Sequence, residues 1–576
     1  MQVSFDGALE LNQPDTADGR LAYTGGFEMM PTMLEKINYL RGREGSTKMK
    51  LPGRKVTRRE DGKAQEVCTV HGITMKASKW FIIRRLCATV AGHFESAPKI
   101  VHIPLLDHMH PIKSLIMGSF LVARGRLDPR RLEEALLELT SRWPILTSRI
   151  EENPKTKFLD LRIPSSISES RPPFVFTSKR SAGPCPHRWS LQEYVHPDIV
   201  SIRPDFRDAS TPNILDDLLK GKDTPILHVH VNVFDDATCI GFHLPHAFAD
   251  MLGLGLAVRA WVKLINADDM KATVIPKVIE GDPLVNFGKM QYPSAPEEQA
   301  ILKANTTMHL YGWWETLRYY FPMAFALFMN KEVSRTLFIP LSLVDALRRE
   351  TIAGDEKTRW VSENDIVAAI LTYLNLLCHS PSSKPLSLTY QANMRGIIPP
   401  LSPAGPSDPV FFGNLLCGMR LELGTVSSAK KLSIPEIALA LRKSVGSQRT
   451  PTWMEHTTTV LREIARRQTM PAYVPAHHQG YNSISWAGAG IGKLSFGAAL
   501  EPGQTVAGAD GSLSYAGGYA LKPKQSGRSI THFIQGRTER NETTGEDGGY
   551  WCDFGAYASS WKEIEGVLSG LGAKVV

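Results

Sequence analysis

Near the middle of the chain, residues 227–234 and 237–242 form two apolar, β-branched runs on either side of the acidic pair Asp235-Asp236, a pattern that predicts a hairpin of buried strands. Pro245 closes the second run, because proline has no N–H to give to a sheet ladder. Beyond it Leu254, Leu256, Ala257, Ala260, Trp261 and Leu264 recur at helical spacing. Asp128-Pro129 predicts a helix start, with Leu132, Leu136 and Leu139 on one face. Ser362-Glu-Asn-Asp365 is a capping-box-like start for a helix over 366–377. Residues 550–557 read as a last strand, followed by a helix capped at Ser559-Ser560. The glycine-rich stretches 488–492 and 511–518 read as turns, and the proline-rich, acidic stretch 266–300 as a linker. Alternating strands and helices support an α/β or α+β class and nothing finer.

Composition narrows the class. At 576 residues and 43% hydrophobic, the chain predicts two to four domains with substantial cores. Seven scattered cysteines without a C-x-x-C pair argue for a reducing compartment and against structural zinc. The expected location is cytoplasmic, since residues 1–7 carry no signal pattern and no run reaches the length of a membrane span. The nearest run, 319–329, is interrupted by Pro322 and reads first as a buried crossover helix, with a membrane-surface contact as the minor alternative. Much of the net charge of +8 is local, because residues 41–63 hold nine Lys or Arg against three acids. Such a run is a solvated segment, and without interleaved aromatics it predicts no nucleic-acid partner.

The candidate chemistry lies in Gly241-Phe-His-Leu-Pro-His-Ala-Phe-Ala-Asp250. It puts His246 at the end of a strand and Asp250 four residues on. An imidazole there, titrating near neutral pH, suits general-base work. The bland alternative makes His246 a strand-end histidine and Asp250 the cap of the next helix. His228 and His230 share a strand face, with His243 and His246 nearby, but no acid or cysteine completes a familiar metal spacing. Packed or hydrogen-bonded histidines are the expectation, with no metal. No G-x-S-x-G elbow or phosphate-binding loop occurs.

Further signals follow in order: Asn393-Met-Arg395 with Pro399-Pro400, Phe411-Phe-Gly-Asn414, Ser485-Trp-Ala487, and, seven residues later, Ser495-Phe-Gly-Ala-Ala499. Upstream stand His102-Ile-Pro-Leu-Leu-Asp107, read as a first strand, and Arg142-Trp-Pro-Ile-Leu-Thr-Ser-Arg149. With H-x-x-x-D these resemble the BAHD acyltransferases, in particular their fungal secondary-metabolism branch, over roughly residues 98–576. The resemblance implies an α/β fold of two chloramphenicol-acetyltransferase-like domains with mixed sheets and an active channel at their interface. The expected division is an extension at 1–97, partly disordered, an N-terminal domain at 98–265, a crossover at 266–335 and a C-terminal domain at 336–576.

The resemblance also implies an acyl-CoA-dependent O-acyltransferase, with acetyl-CoA as co-substrate and a hydroxylated terpenoid or alkaloid as acceptor. It implies a monomer with no permanently bound cofactor. His246 is then the general base and the Trp486 indole the first candidate oxyanion donor. Ser483 or Ser485 replaces a family threonine that is Ile484 here. Asp250, Arg395 and Asn414 are structural, and Ser495 joins Ser483 and Ser485 as channel candidates. Asn393 and Ser495 stand where the family has acids, so Arg395 must find another partner, the C-terminal carbonyls of a helix or a different acid. Asp553-Phe-Gly555 copies the last motif's letters, but its short tail and the Ser-Trp-Ala spacing favour Ser495. An amide-forming condensation-like enzyme and a catalytically silent small-molecule-binding homologue are the alternatives.

Overall fold

The computed structural model describes residues 97–571 apart from short stretches, the longest within 187–202, 284–310, 398–407 and 520–530. Before residue 97 it describes only β1 (Thr57–Arg58) and β2 (Ala64–Gln65), which pair antiparallel. The rest of the expected extension, with nearly all of its basic run, lies outside the described residues.

Within residues 85–576, three sheets are described. The smallest orders β3 (Lys99–His102), β6 (Leu159–Ile163) and β5 (Arg149–Glu152). The first large sheet orders β15 (Leu513–Tyr519), β4 (Ile116–Arg124), β10 (Ala237–Pro245), β9 (His228–Val233) and β7 (Val175–Arg180). The second orders β13 (Leu416–Thr425), β12 (Pro385–Asn393), β14 (Gln479–Ser485), β16 (Thr531–Thr538), β17 (Gly549–Tyr557), β11 (Glu332–Pro340) and β8 (Val195–His196). Both large sheets are mixed, with β7 parallel to β9 and β14 parallel to β12 and β16. Each takes a strand from the other half of the chain: β15 joins the first sheet and β8 the second.

The predicted hairpin is present, with His228 opposite His243 and Pro245 the last paired residue of β10. Helices α1 (Pro129–Arg142) and α2 (Met251–Ile265) contribute Leu132, Leu136, Leu139, Leu254 and Trp261 to one core with Leu121, Val231, Ile240 and Phe242 of the first sheet. Asp128 caps α1 by accepting from the Arg130 amide at 3.0 Å. Next in the chain come α3 (Trp313–Met329) and α4 (Glu363–Leu377). The predicted capping box opens α4, where Ser362 Oγ accepts from the Asp365 amide and Asp365 accepts from the Ser362 amide. Between the large sheets, Phe120, Cys239, Tyr515 and Tyr519 meet Phe338 and Trp551 in a core of their own.

Four readings of the pattern change. Residues 513–519 are a strand, paired with β4, where Gly518 lies close to the Gly118 carbonyl of β4 and to Met251 and Trp486 rather than in a turn. The first strand stops at His102 and residues 105–108 form a 3-10 turn, since Pro104 offers no ladder donor. The last helix, α5 (Trp561–Gly570), is preceded by a 3-10 turn, and Ser560 makes no side-chain cap. Finally, α3 is not a buried crossover: Trp313, Trp314, Leu317, Phe321 and Phe325 are all exposed. No helix among the described residues is long and apolar enough to cross a membrane.

The two large sheets are held at close range where β15 passes β16. A Cβ on Gly536 would sit 2.4 Å from the Ala516 carbonyl oxygen, and a backbone atom cannot swing aside. Gly536→Ala should therefore lower unfolding free energy by about 1–3 kcal/mol, as overpacked core sites do. Urea titration checks this, and a wild-type midpoint would contradict the close approach.

Candidate active site

Pro245 ends β10 and the chain turns at once, with the amides of Phe248 and Ala249 both donating to the Pro245 carbonyl. His246 is fixed at its backbone from both sides. Its amide donates to the Leu115 carbonyl at 2.8 Å, and its carbonyl accepts from Asn414 Nδ2 at 2.8 Å. Four residues on, Asp250 is the N-cap of α2, accepting from the Gly253 amide at 2.8 Å. The cap expected of the bland reading is thus present, but it is one of several bonds to the same carboxylate.

The Asp250 carboxylate is wholly buried and takes both ends of the Arg395 fork, with Nη1 to Oδ2 at 2.8 Å and Nη2 to Oδ1 at 3.0 Å. It also accepts from the Leu415 amide at 3.1 Å. Arg395 in turn donates to the carbonyls of Phe411, Phe412 and Gly413. Arg395 therefore finds a different acid, and the carbonyls it bonds belong to the 411–413 loop and not to a helix C-terminus. Asn393, in place of an acid, accepts from the Arg395 amide at 3.0 Å. A buried ion pair overcomes desolvation only when its remaining lone pairs and protons are bonded, and here they are.

A further acid belongs to this cluster. Asp107 is fully buried, and its Oδ1 accepts from the Asn414 backbone amide at 2.6 Å and from Asn414 Nδ2. Its Oδ2 is buried without a hydrogen bond, beside Gly413. Burial raises the Asp107 carboxyl well above the usual carboxylate range, against the lowering by Asn414 and with a smaller push from Asp250. Asp107 thus holds Asn414, and Asn414 holds the carbonyl of His246. The sequence motifs give Asp107 no role, although an acid inside Ile103-Pro-Leu-Leu-Asp107 is the available signal.

Burial lowers the His246 pKa from 6.5, opposed by its own backbone, by the charge of Asp250 and by the Asn414 side chain. Its Nδ1 is buried without a hydrogen bond, while the residue as a whole is partly exposed. The remaining strand histidines are packed or bonded: His230 Nδ1 lies 2.8 Å from Thr177 Oγ1 and His228 Nε2 lies 3.1 Å from the Pro225 carbonyl.

Trp486 is buried, its amide donating to the Ile534 carbonyl and its ring 5.0 Å from that of Phe533. A side chain at Gly518 would meet Met251 Cε at 2.1 Å and Trp486 Cζ3 at 2.9 Å, so the indole adjoins the residue that follows Asp250. Ser483 is buried in β14 and Ser485 ends that strand. Ser495 is elsewhere. Its carbonyl accepts from Asn266 at the far end of α2, roughly 24 Å from Asp250 at 1.5 Å per residue. There its Oγ bonds the Asp510 carbonyl and the Gly497 amide and closes a local turn. Asp553 lies in β17, as expected, accepting from Thr336 Oγ1 at 3.0 Å and Gln535 Nε2 at 2.7 Å.

No protein-family model matches the chain. Among curated proteins it is 24% identical to the acetyltransferase adrJ of Penicillium roqueforti, over 78% of this chain and 90% of that one. It is also 24% identical to a protein of Sordaria araneosa named transcriptional regulator sdnM, over 65% of this chain and 78% of that one. Among solved structures, F. graminearum TRI101 complexed with coenzyme A and deoxynivalenol superposes with a TM-score of 0.54 at 13% identity, covering 81% of this chain and 97% of that one. The chain is thus similar in sequence to fungal acetyltransferases and in fold to BAHD acyltransferases of known structure. The fold of this acyltransferase is accordingly chloramphenicol-acetyltransferase-like, with two mixed sheets sharing strands.

In this acyltransferase the Asp250–Arg395 pair ties the histidine loop to the 411–415 segment. Arg395→Met would leave a buried carboxylate uncompensated, which costs about 3–5 kcal/mol. Asp250→Asn on that background should recover part of the loss. Chemical denaturation of the three variants checks both, and additive effects would show that the pair is not coupled.

Proposed function

We propose that the chain transfers an acyl group, with acetyl favoured, from acyl-CoA to a hydroxyl of a secondary metabolite, and that His246 is the general base. The observation that carries the reading is the double backbone clamp that holds His246 at the end of β10, with its Nδ1 buried and making no hydrogen bond. Relatives named acetyltransferases, and the coenzyme A complexed with TRI101, support the donor.

In this reading Nε2 takes the proton of the acceptor hydroxyl as its oxygen attacks the thioester carbonyl. The C–S bond of the tetrahedral intermediate then breaks, and the thiolate of coenzyme A recovers the proton from the imidazolium. An alcohol is a weak nucleophile at neutral pH, so a positioned base contributes about 10²–10⁴-fold. The intermediate's oxyanion needs a donor near the base. Trp486, beside Met251, is the first candidate, with Ser483 or Ser485 next. Asp250, occupied by Arg395, the Gly253 amide and the Leu415 amide, holds the loop and moves no proton.

Asp107 is a positioning residue in this scheme, acting on His246 through Asn414. The relative named as a transcriptional regulator favours a second reading, a catalytically silent homologue that binds the same small molecules. Acetyl-CoA binding by the wild-type chain, with no transfer to any of a panel of terpenoid and alkaloid alcohols, would establish that second reading.

His246→Ala should reduce transfer by about 10²–10⁴-fold with an unchanged melting temperature. Near-wild-type turnover would remove the mechanism. The base acts in its neutral form, and burial lowers its pKa, so activity should persist below pH 6.5 and fail as pH falls through the lowered value. An acid limb above pH 6.5 would contradict this assignment.

Asp107→Ala should lower kcat with little change in the KM for acetyl-CoA, because it frees Asn414 and hence the His246 carbonyl. Asp107→Asn, which retains an acceptor oxygen, should recover much of the rate. Equal loss in both variants would reduce Asp107 to a packing role.

A further inference from the structure

Five of the eight large hydrophobic side chains exposed among the described residues stand on one helix, α3. Trp313, Trp314, Leu317, Phe321 and Phe325 are between 46% and 65% exposed. At 3.6 residues per turn they fall within an arc of about 120°, so they form one continuous stripe along the helix. The rest of the circumference carries Thr316, Tyr319 and Tyr320, which are half-buried, with Tyr319 directly opposite the stripe. The tyrosine edge anchors this region to the protein, with Tyr311 Oη bonding the Val474 carbonyl and Tyr319 Oη lying against Gly480. The aromatic stripe is thus turned outward by the packing itself.

Exposed cations border the stripe. Arg318 is exposed at its border, and Lys331 is exposed two residues past the helix end. Arg318 is also a neighbour of Lys384, whose pKa is lowered by burial and then by the Arg318 charge. The only acid described on the helix, Glu315, is turned to its N-terminus and accepts from the Gly312 amide at 3.0 Å. Tryptophan rings, stacked here at 3.7 Å, have an apolar body and a polar N–H and prefer the headgroup depth of a bilayer. A ridge of exposed Trp, Leu and Phe with cations at its edge suits the plane of a bilayer interface.

We propose that α3 docks this acyltransferase peripherally on an anionic lipid bilayer, its Trp–Leu–Phe stripe entering the interface and Arg318, Lys331 and Lys384 meeting anionic headgroups. No spanning segment is involved, and the helix lies in the plane of the surface. The inference stands on this helix alone and is independent of the chemistry at His246.

Flotation of the full chain with vesicles of phosphatidylcholine, with and without roughly 30 mol% phosphatidylserine, tests the proposal. Two to three cations near an anionic surface make binding roughly tenfold or more tighter to the serine-containing vesicles. Phe321→Glu with Phe325→Glu should weaken binding at least tenfold without changing the melting temperature. Trp313→Phe with Trp314→Phe should abolish the blue shift of tryptophan emission on vesicle addition. Failure of the wild-type chain to float with either vesicle would overturn the proposal, as would unimpaired flotation of the double Glu variant. Equal binding to both vesicles would overturn the role of the cations. A wild-type dimer that the Glu variant dissociates, with no vesicle binding, would assign the stripe to a second copy instead.

Discussion

A carboxylate and a guanidinium sealed from water, Asp250 and Arg395, set the terms for the rest of the site. Neither charge tolerates burial alone, so each must find the other and fill its remaining hydrogen bonds within the same few ångströms. That requirement draws three distant segments together: the turn after β10, the end of β12, and residues 411–415. Because Asp250 is also the N-cap of α2, the pair aligns the helix as well as the loop. His246, four residues upstream, has its backbone held as a consequence, and Asn414 and Asp107 complete the clamp.

The pair also explains how the chain accommodates its departures from the family pattern. Asn393 stands where an acid is expected, yet its side-chain oxygen still accepts from Arg395. Ser495, in place of another acid, closes a turn at the far end of α2 and shares nothing with Arg395 in the bonds described above. One charge balanced by one charge, with the other donors of the guanidinium taken by loop carbonyls, leaves no demand for a second carboxylate.

Shared strands place this clamp at the seam of the two large sheets. β15 enters the first sheet from the C-terminal half, and Gly518 donates to Gln535, which bonds Asp553, which accepts from Thr336. The polar chain crosses from one sheet into the other through a buried region and is bonded at each of these steps, as low-dielectric surroundings require. The same approach of β15 brings Trp486 against Met251.

What the sequence determined alone is what rests on neighbours a few residues apart. The caps at Asp128 and Ser362, the hairpin at Asp235-Asp236, the stop at Pro245 and the order of the motifs all involve near neighbours or residue identity. Tertiary structure decided what depends on encounters between distant segments. Arg395 meets Asp250 across 145 residues, and Asp107 meets Asn414 across 307. Gly517 and Gly518 read as turn formers, but they lie in a strand, where Gly518 leaves room for Met251 and Trp486 and Gly517 for the ring of Tyr515. The apolar run at α3 read as buried, since hydropathy records what a side chain avoids and not which way its helix is turned. That direction was set by Tyr311 and Tyr319 bonding and packing on the other side.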